Sequence, residues 1–391
     1  MQGINMIPYG RQDIDQADID AVVAVLRSDF ITQGPMVPLF EQTLTSYCGA
    51  SHAVVVSNAS AALHIACLAL DLGPGDWLWT SANTFVASAN CALHCGAQVD
   101  FVDIDPRTYN MSTERLAEKL EQAKKEGMLP KVLVPVHLGG QSCDMLAIQL
   151  LSLQYGFKVI EDASHAIGGR YKNEAIGSGR YSDITVFSFH PVKIITTGEG
   201  GALLTNNLEL ADRMQLFRSH GVTSNSNKMK KRPADEIWNY QQIALGLNYR
   251  MTDLQAALGV SQIDRLDDFV SKRHKIANRY NEELASLDLE LPWQHTDSYS
   301  SYHLYPIRVK SSNAQVNQRQ VYDAFQSAGI NVNLHYIPVY RQPFYEDMGF
   351  EAGYCEEAEQ NYKETISIPM YPMLTDVDQK TVIGILQAMF A

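Results

Sequence analysis

The feature that most constrains this chain is a series of short β-rich runs, each followed by a helical stretch, through its first two hundred residues. His52-Ala-Val-Val-Val-Ser57 leads into Asn58–Leu70. Asp76–Thr80 leads through Asn83-Thr-Phe-Val-Ala87 into an Ala-rich helical segment. Val99–Asp103, Lys131–Val136 and Lys158–Asp162 follow, with helical stretches near 112–126 and 142–155 between them. Strands that alternate with helices imply an α/β unit with a mainly parallel central sheet flanked by helices, whose ligand lies beyond the carboxyl ends of the strands. Before this series, Asp15–Arg27 reads as an amphipathic helix with Ile19, Val22, Val23 and Leu26 on one face. A turn at Ile31–Pro35 and a helix over Val37–Cys48 complete the approach.

Past residue 200 the pattern continues and then changes. Ala202–Thr205 reads as a strand and Glu209–Phe217 as a helix. Residues 223–233 turn polar and then basic, with Lys228, Lys230, Lys231 and Arg232 in a surface loop. A long helix, continuous or bent, runs from near Thr252 to about Leu287. The remainder has strand-like Tyr302–Val309 and Ile330–Leu334, helix-like Gln315–Ser327, and helices near 352–363 and 376–389, the composition of a smaller α+β unit. A chain of 391 residues can bury a large core. The expected division is a large unit over 1–250 and a smaller C-terminal one over 251–391.

Composition removes several classes of function. A net charge of -13 argues against a nucleic-acid surface, while the local basic run can still receive one phosphorylated ligand. No apolar run spans a bilayer, and Met1–Tyr9 lacks the basic end and apolar centre of a signal peptide, so the expected location is the cytoplasm, away from membranes. Six cysteines in so long a chain do not make a disulfide framework. Cys91 and Cys95 flank His94 but have no second ligand pair, and no metal is expected.

The candidate chemistry gathers around Ser182–Gly201, where a β-rich run ends in Ser188-Phe-His190, passes through Lys193 and reaches Gly198, Gly200 and Gly201. An ammonium group at the rim of an apolar site deprotonates more easily than one in water, which suits Lys193 to a Schiff base. The helix start at Ala59 and Ser60 presents unpaired amides and the positive end of a dipole, a seat for a phosphate. Phe85 offers a flat ring near a strand end. Asp162 closes another strand, with His165 three residues on. Taken singly these residues admit plainer roles: helix caps, a core ring, a turn carboxylate, a surface lysine. In one order along one α/β unit they are the equipment of pyridoxal phosphate, whose ring acts as an electron sink when its nitrogen stays protonated.

At these residues the chain resembles the DegT/DnrJ/EryC1 family of sugar aminotransferases, of the fold-type I group of pyridoxal phosphate enzymes. The marks are Ser57-Asn-Ala-Ser60, Asn83-Thr-Phe85, Glu161-Asp-Ala-Ser-His165, Ser188-Phe-His-Pro-Val-Lys193, Gly198-Glu-Gly-Gly201 and Gly246-Leu-Asn-Tyr-Arg-Met-Thr-Asp253. Nearly the whole chain is covered. Within the family, His190–Gly201, Val332–Tyr340 and Ser367–Pro372 look most like the branch that aminates C4 of a UDP-linked 2-acetamido-2,6-dideoxy-hexos-4-ulose in pseudaminic acid biosynthesis, with L-glutamate as donor. Ser60 stands where many relatives carry Thr, and Ile194 where relatives of this branch often have Pro.

The resemblance implies that Ala59, Ser60 and Ser188 hold the phosphate, Phe85 stacks on the ring, Asp162 meets the pyridine nitrogen, and His165 lies by the ring hydroxyl. It implies that Lys193 carries the cofactor and moves the proton in both half-reactions. Asn248 matches a position that reaches the partner subunit's phosphate, which implies a homodimer with shared sites. His335 and Tyr336 are candidates for the sugar, and Lys230 and Lys231 for its diphosphate. The alternatives are a C3 or C4 aminotransferase for another nucleotide-linked ketosugar, or a non-catalytic protein that binds pyridoxal phosphate for regulation. A deoxygenating relative would carry His in place of Lys193. A nicotinamide-binding domain lacks its Gly-x-Gly-x-x-Gly after an early strand.

Overall fold

The computed structural model describes residues 6–390, apart from 234–235, 237–239, 311 and 313–314. Its centre is a seven-stranded sheet of β1 (His52–Val56), β2 (Trp77–Ser81), β3 (Gln98–Val102), β4 (Val132–Val134), β5 (Lys158–Asp162), β6 (Ile184–Ser188) and β7 (Gly201–Thr205). In space the order is β3-β2-β4-β5-β6-β7-β1. From β3 to β6 every neighbour is parallel. Only β7 runs against both its neighbours, because the chain returns from β6 through the loop 189–200 rather than through a helical crossover. That exception places the Lys193 loop at the carboxyl end of β6, beside the ends of the parallel strands.

Strand side chains alternate between two helical layers. Val54, Val56, Leu78, Ile160, Ile184 and Leu203 face the helices Ala59–Ala69 and Ala87–His94. Val55, Phe187 and Leu204 face the opposite layer, where Phe40 and Phe269 pack. Being covered on both sides, β6 and β7 are buried at every position, which explains why neither carries a charged residue. The helices start where local chemistry dictates. The side-chain oxygen of Asn58 accepts from the Ala61 amide and that of Ser112 from the Arg115 amide. Gly49, Gly127 and Gly156 end their helices in the left-handed conformation.

The long helix expected after Thr252 is two helices, Asp253–Ile263 and Leu266–Glu283. The break comes at Asp264–Arg265, where Arg265 turns its guanidinium to Asp13, Asp15 and the buried Asp18. The first helix lies against Met36–Cys48, and Gly259 allows the contact, since a Cβ there would stand 2.5 Å from the Phe40 ring. The second helix carries Ile276 and Tyr280 into a separate core with Tyr305, Ile307, Phe325, Ile366 and Val382. There Tyr305–Arg308 pairs antiparallel with Thr365–Ile368. The strand expected at 330–334 is reduced to single bridges, Ile330 to Ile7 and Asn333 to Ser367. Among the described residues no helix is long and apolar enough to cross a membrane.

Candidate active site

Asp162 ends β5 at the carboxyl edge of the parallel strands and is buried. Its carboxylate accepts the Ser88 hydroxyl at 2.6 Å and the Ser164 amide at 3.1 Å. Lys193 lies across from it on the loop 189–200. That loop is pinned at its base by Phe189, whose amide donates to Gly200 and whose carbonyl accepts from the Thr197 amide and the Thr196 hydroxyl. Burial of its ammonium end draws Lys193 down to about 8, against the attraction of the Asp162 carboxylate. The loop therefore holds an amine that exchanges protons near neutrality, facing a fixed anion.

The proposed phosphate seat follows from strand register. Val56, Gly201 and Ser188 lie side by side on β1, β7 and β6, so the Asn58–Ser60 turn sits over the start of β7. Asn58 caps the Ala61 amide at 2.8 Å, leaving the amides of Ala59 and Ser60 without a partner among the described residues. Gly201 makes this close approach possible. A Cβ on it would stand 2.6 Å from the carbonyl carbon of Asn58 and 2.7 Å from the Ala59 nitrogen, and backbone cannot yield as a side chain does. Gly201→Ala should therefore cost the apoprotein about 2 kcal/mol in urea unfolding and weaken its hold on a phosphorylated ligand. Unchanged stability together with unchanged ligand affinity would remove this account of the seat.

Opposite the seat stands a cluster of histidines. The Gly139 amide donates to Nδ1 of His165 at 3.3 Å, so the His165 proton sits on Nε2, 3.3 Å from the Tyr336 hydroxyl. The His303 ring is 4.4 Å from that of His165. Burial holds His165, His303 and His335 neutral, His335 down to about 3, and the Lys193 charge adds to the effect on each. Tyr336 is held through its amide, which donates to Asn83 at 2.9 Å. His335 is buried, bonded to Ser367 at 2.9 Å and near Asn333, and lies close enough to Lys193 to feel its charge. Phe85 is 58% exposed, its ring 6.2 Å from that of Tyr336.

The structure thus gathers Asp162, Lys193, His165 and Tyr336, and sets Ser188 beside the Ala59–Ser60 seat. It joins neither Lys230 nor Lys231 to them. Both are exposed, and Lys230 is held through its backbone by Gln241, while Lys228 pairs with Asp212 and Arg232 with Glu236. Asn248 is also exposed. Its backbone bridges to Ser219, and the neighbouring Tyr249 carbonyl accepts the Ser57 amide, which puts the segment alongside the end of β1. Sequence reasoning missed Thr84, Ser88 and His303. Thr84 and Ser88 are two small hydroxyls one helical turn apart, directly after the Asn83 mark, and that spacing was the available signal.

The residues present fit a planar, phosphate-bearing cofactor. Among the described residues, buried polar atoms without a protein partner include Nδ2 of Asn83 and Nδ1 of His303, in addition to the two open amides of the seat. An ionised carboxylate and an amine of low basicity complete a donor set for a cationic ring nitrogen and an aldehyde.

Known proteins share this architecture along the whole chain. A transaminase of Campylobacter jejuni, UDP-4-amino-4,6-dideoxy-N-acetyl-beta-L-altrosamine transaminase, is 38% identical over 96% of this chain and 96% of its own. The spore coat polysaccharide biosynthesis protein SpsC of Bacillus subtilis is 37% identical over 97% of this chain and 96% of its own. Among solved structures, Helicobacter pylori PseC, an aminotransferase involved in the biosynthesis of pseudoaminic acid, superposes with a TM-score of 0.87 at 29% identity, covering 99% of each chain. Spr1654 from Streptococcus pneumoniae in its PMP form superposes with a TM-score of 0.88 at 30% identity, covering 98% of each. Residues 12–387 match one family throughout, and the chain belongs to it: the DegT/DnrJ/EryC1/StrS aminotransferase family.

Proposed function

We propose that this protein is a pyridoxal phosphate-dependent aminotransferase that moves the amino group of L-glutamate to the C4 keto group of a UDP-linked 2-acetamido-2,6-dideoxy-hexos-4-ulose, giving a UDP-4-amino-4,6-dideoxy sugar. The observation that carries the reading is the half-buried Lys193, its amine drawn down to about 8 and faced by the Asp162 carboxylate. When bound, the cofactor supplies an electron sink for the carbon that loses its proton. Ala59, Ser60 and Ser188 hold its phosphate, Phe85 covers one face of its ring, Asp162 meets the ring nitrogen, and His165 lies by the ring hydroxyl. Lys193 takes a proton from the substrate carbon and returns it in the second half-reaction, which a group near pH 8 does efficiently. Tyr336 Oη lies beside the protonated Nε2 of His165 and accepts from it, so the phenol's own proton is free to meet an oxygen of the sugar. These roles divide between a large unit over 1–250 and a smaller one over 251–391 that brings His335 and Tyr336. The Campylobacter transaminase and PseC support the choice of sugar, while SpsC, from polysaccharide biosynthesis, supports amination of a different nucleotide ketosugar as the second reading. Mass spectrometry and NMR of the product formed from glutamate and a panel of UDP-4-ketohexoses decide between them. No aminated product from any of the panel would overturn the first.

The enzyme acts in the cytoplasm as a homodimer, and its six cysteines are all free thiols, as a reducing compartment keeps them. Asn248 serves the partner's phosphate. Support comes from its exposure and from the exposed Tyr240, Ile243 and Leu245 around it, at 63%, 40% and 85%, an apolar surface suited to a second copy. Lys193→Ala and Asn248→Ala, each poor alone, should regain activity when unfolded and refolded together. In the mixed dimer one site combines an intact Lys193 with an intact Asn248, and the other carries both defects. Activity equal to the average of the two parents, with heterodimers verified by tagged pull-down, would mean that the sites are not shared. Lys230 and Lys231 gather the substrate's diphosphate. Replacing both with Ala should raise KM for the sugar nucleotide and flatten its salt dependence, with the glutamate half-reaction unchanged. A KM unchanged at every salt concentration would leave the loop a solvated turn.

A further inference from the structure

Asp162 is held from a direction that no sequence motif marked. Its Oδ2 accepts the Ser88 hydroxyl at 2.6 Å, and the Thr84 hydroxyl lies 2.9 Å from the same Ser88 oxygen. The direction of these bonds follows from counting protons. An ionised carboxylate only accepts, so Ser88 spends its one proton on Asp162, and Thr84 must donate to Ser88. The result is a directed chain, Thr84 to Ser88 to Asp162, in which each bond polarises the next. Ser88 is fully buried and Thr84 is 2% exposed, so water cannot replace either hydroxyl. The other carboxylate oxygen takes the Ser164 amide at 3.1 Å, and both oxygens are thereby fixed. Ser88 is the second residue of the helix Ala87–His94, and Thr84 follows Asn83, whose side chain holds the Tyr336 amide. One short segment therefore sets Asp162 and Tyr336 together.

We propose that Ser88, backed by Thr84, is a positioning residue that keeps the Asp162 carboxylate in a single orientation. The proposal rests on the reading of Asp162 as the partner of the pyridine nitrogen. The titratable groups that feel the Asp162 charge are Lys193 and Tyr336, and its strand neighbour Glu161 points to the other face, to His137 at 2.8 Å. Of the two bonds on the carboxylate the one from the Ser88 hydroxyl is the shorter, and its loss frees Oδ2 from an orientation that the Ser164 amide holds at the other oxygen only.

The test uses the apoprotein and the loaded enzyme in parallel. In apoprotein labelled with 13C at the aspartate carboxyl carbons, the Asp162 signal is assigned by its loss in Asp162→Asn. At fixed pH Ser88→Ala should displace that signal, because the carboxylate loses the hydroxyl on Oδ2, and Ser88→Thr should restore it. In the loaded enzyme Ser88→Ala should lower kcat of the glutamate half-reaction roughly tenfold, with KM little changed. Ser88→Cys, close to Ser in volume but a weak donor, should behave as Ser88→Ala and replaces it where that variant folds poorly. An undisplaced carboxyl signal with wild-type kcat, while Asp162→Asn has lost turnover, overturns the positioning role alone. Full activity of Asp162→Asn overturns the reading beneath it.

Discussion

Purified Lys193→Ala should fold as the wild type does, hold no covalently linked cofactor, and lose turnover by at least about a thousandfold. The fold should survive because Lys193 lies on a loop whose hydrogen bonds run through Phe189, Thr196, Thr197 and Gly200 and not through its own side chain. Lys193→Arg should fail as fully, since a guanidinium keeps its proton at any working pH. The measurement is the visible absorption of the linked cofactor and its fixation by borohydride. A variant that retains both would end the assignment of Lys193. The wild-type apoprotein adds a pH test whose sign is fixed. Only the neutral amine attacks an aldehyde, so capture of added pyridoxal phosphate should speed up about tenfold per pH unit below about 8 and level off above it.

Where Asp162 and Lys193 fall along the fold was legible in the sequence, and the reasons are local. Strands β1 to β6 announce themselves as short runs rich in β-branched and aromatic residues, and Asp162 stands out as an ionisable residue closing one of them, with Lys193 five residues beyond the end of another. What stayed hidden depends on tertiary approach. Nothing in Gly201 as a letter says that the Asn58–Ser60 turn lies against it; that follows from the register of β1 with β7. The antiparallel course of β7 was equally silent, because direction is set by the connecting loop. The helix break at Arg265 depends on Asp13, Asp15 and Asp18, some two hundred and fifty residues away in the chain. His303 shows no periodicity or motif, yet its ring meets His165 at 4.4 Å. The two-residue strands at Arg170–Tyr171, Glu174–Ala175 and Ser298–Tyr299 are too short to carry an alternation.

Asp162→Asn should cost more than roughly a hundredfold in turnover, about 2.7 kcal/mol of barrier, while the protein still binds the cofactor. Asparagine has nearly the same shape and keeps an oxygen for either the Ser88 hydroxyl or the Ser164 amide, so the substitution removes charge more than structure. The charge has two uses. On the proposed reading it would keep the ring nitrogen of the loaded enzyme protonated, without which the ring draws electrons poorly. In the apoprotein it attracts the Lys193 ammonium and partly offsets the effect of burial. Asp162→Asn should therefore lower the Lys193 midpoint further, and the plateau of cofactor capture should begin at lower pH than in the wild type. The two readouts separate the two uses. A variant with wild-type turnover and a displaced capture curve would leave Asp162 as the electrostatic partner of Lys193 alone. One with lost turnover and an undisplaced curve would assign its charge to the ring nitrogen and place Lys193 beyond its reach.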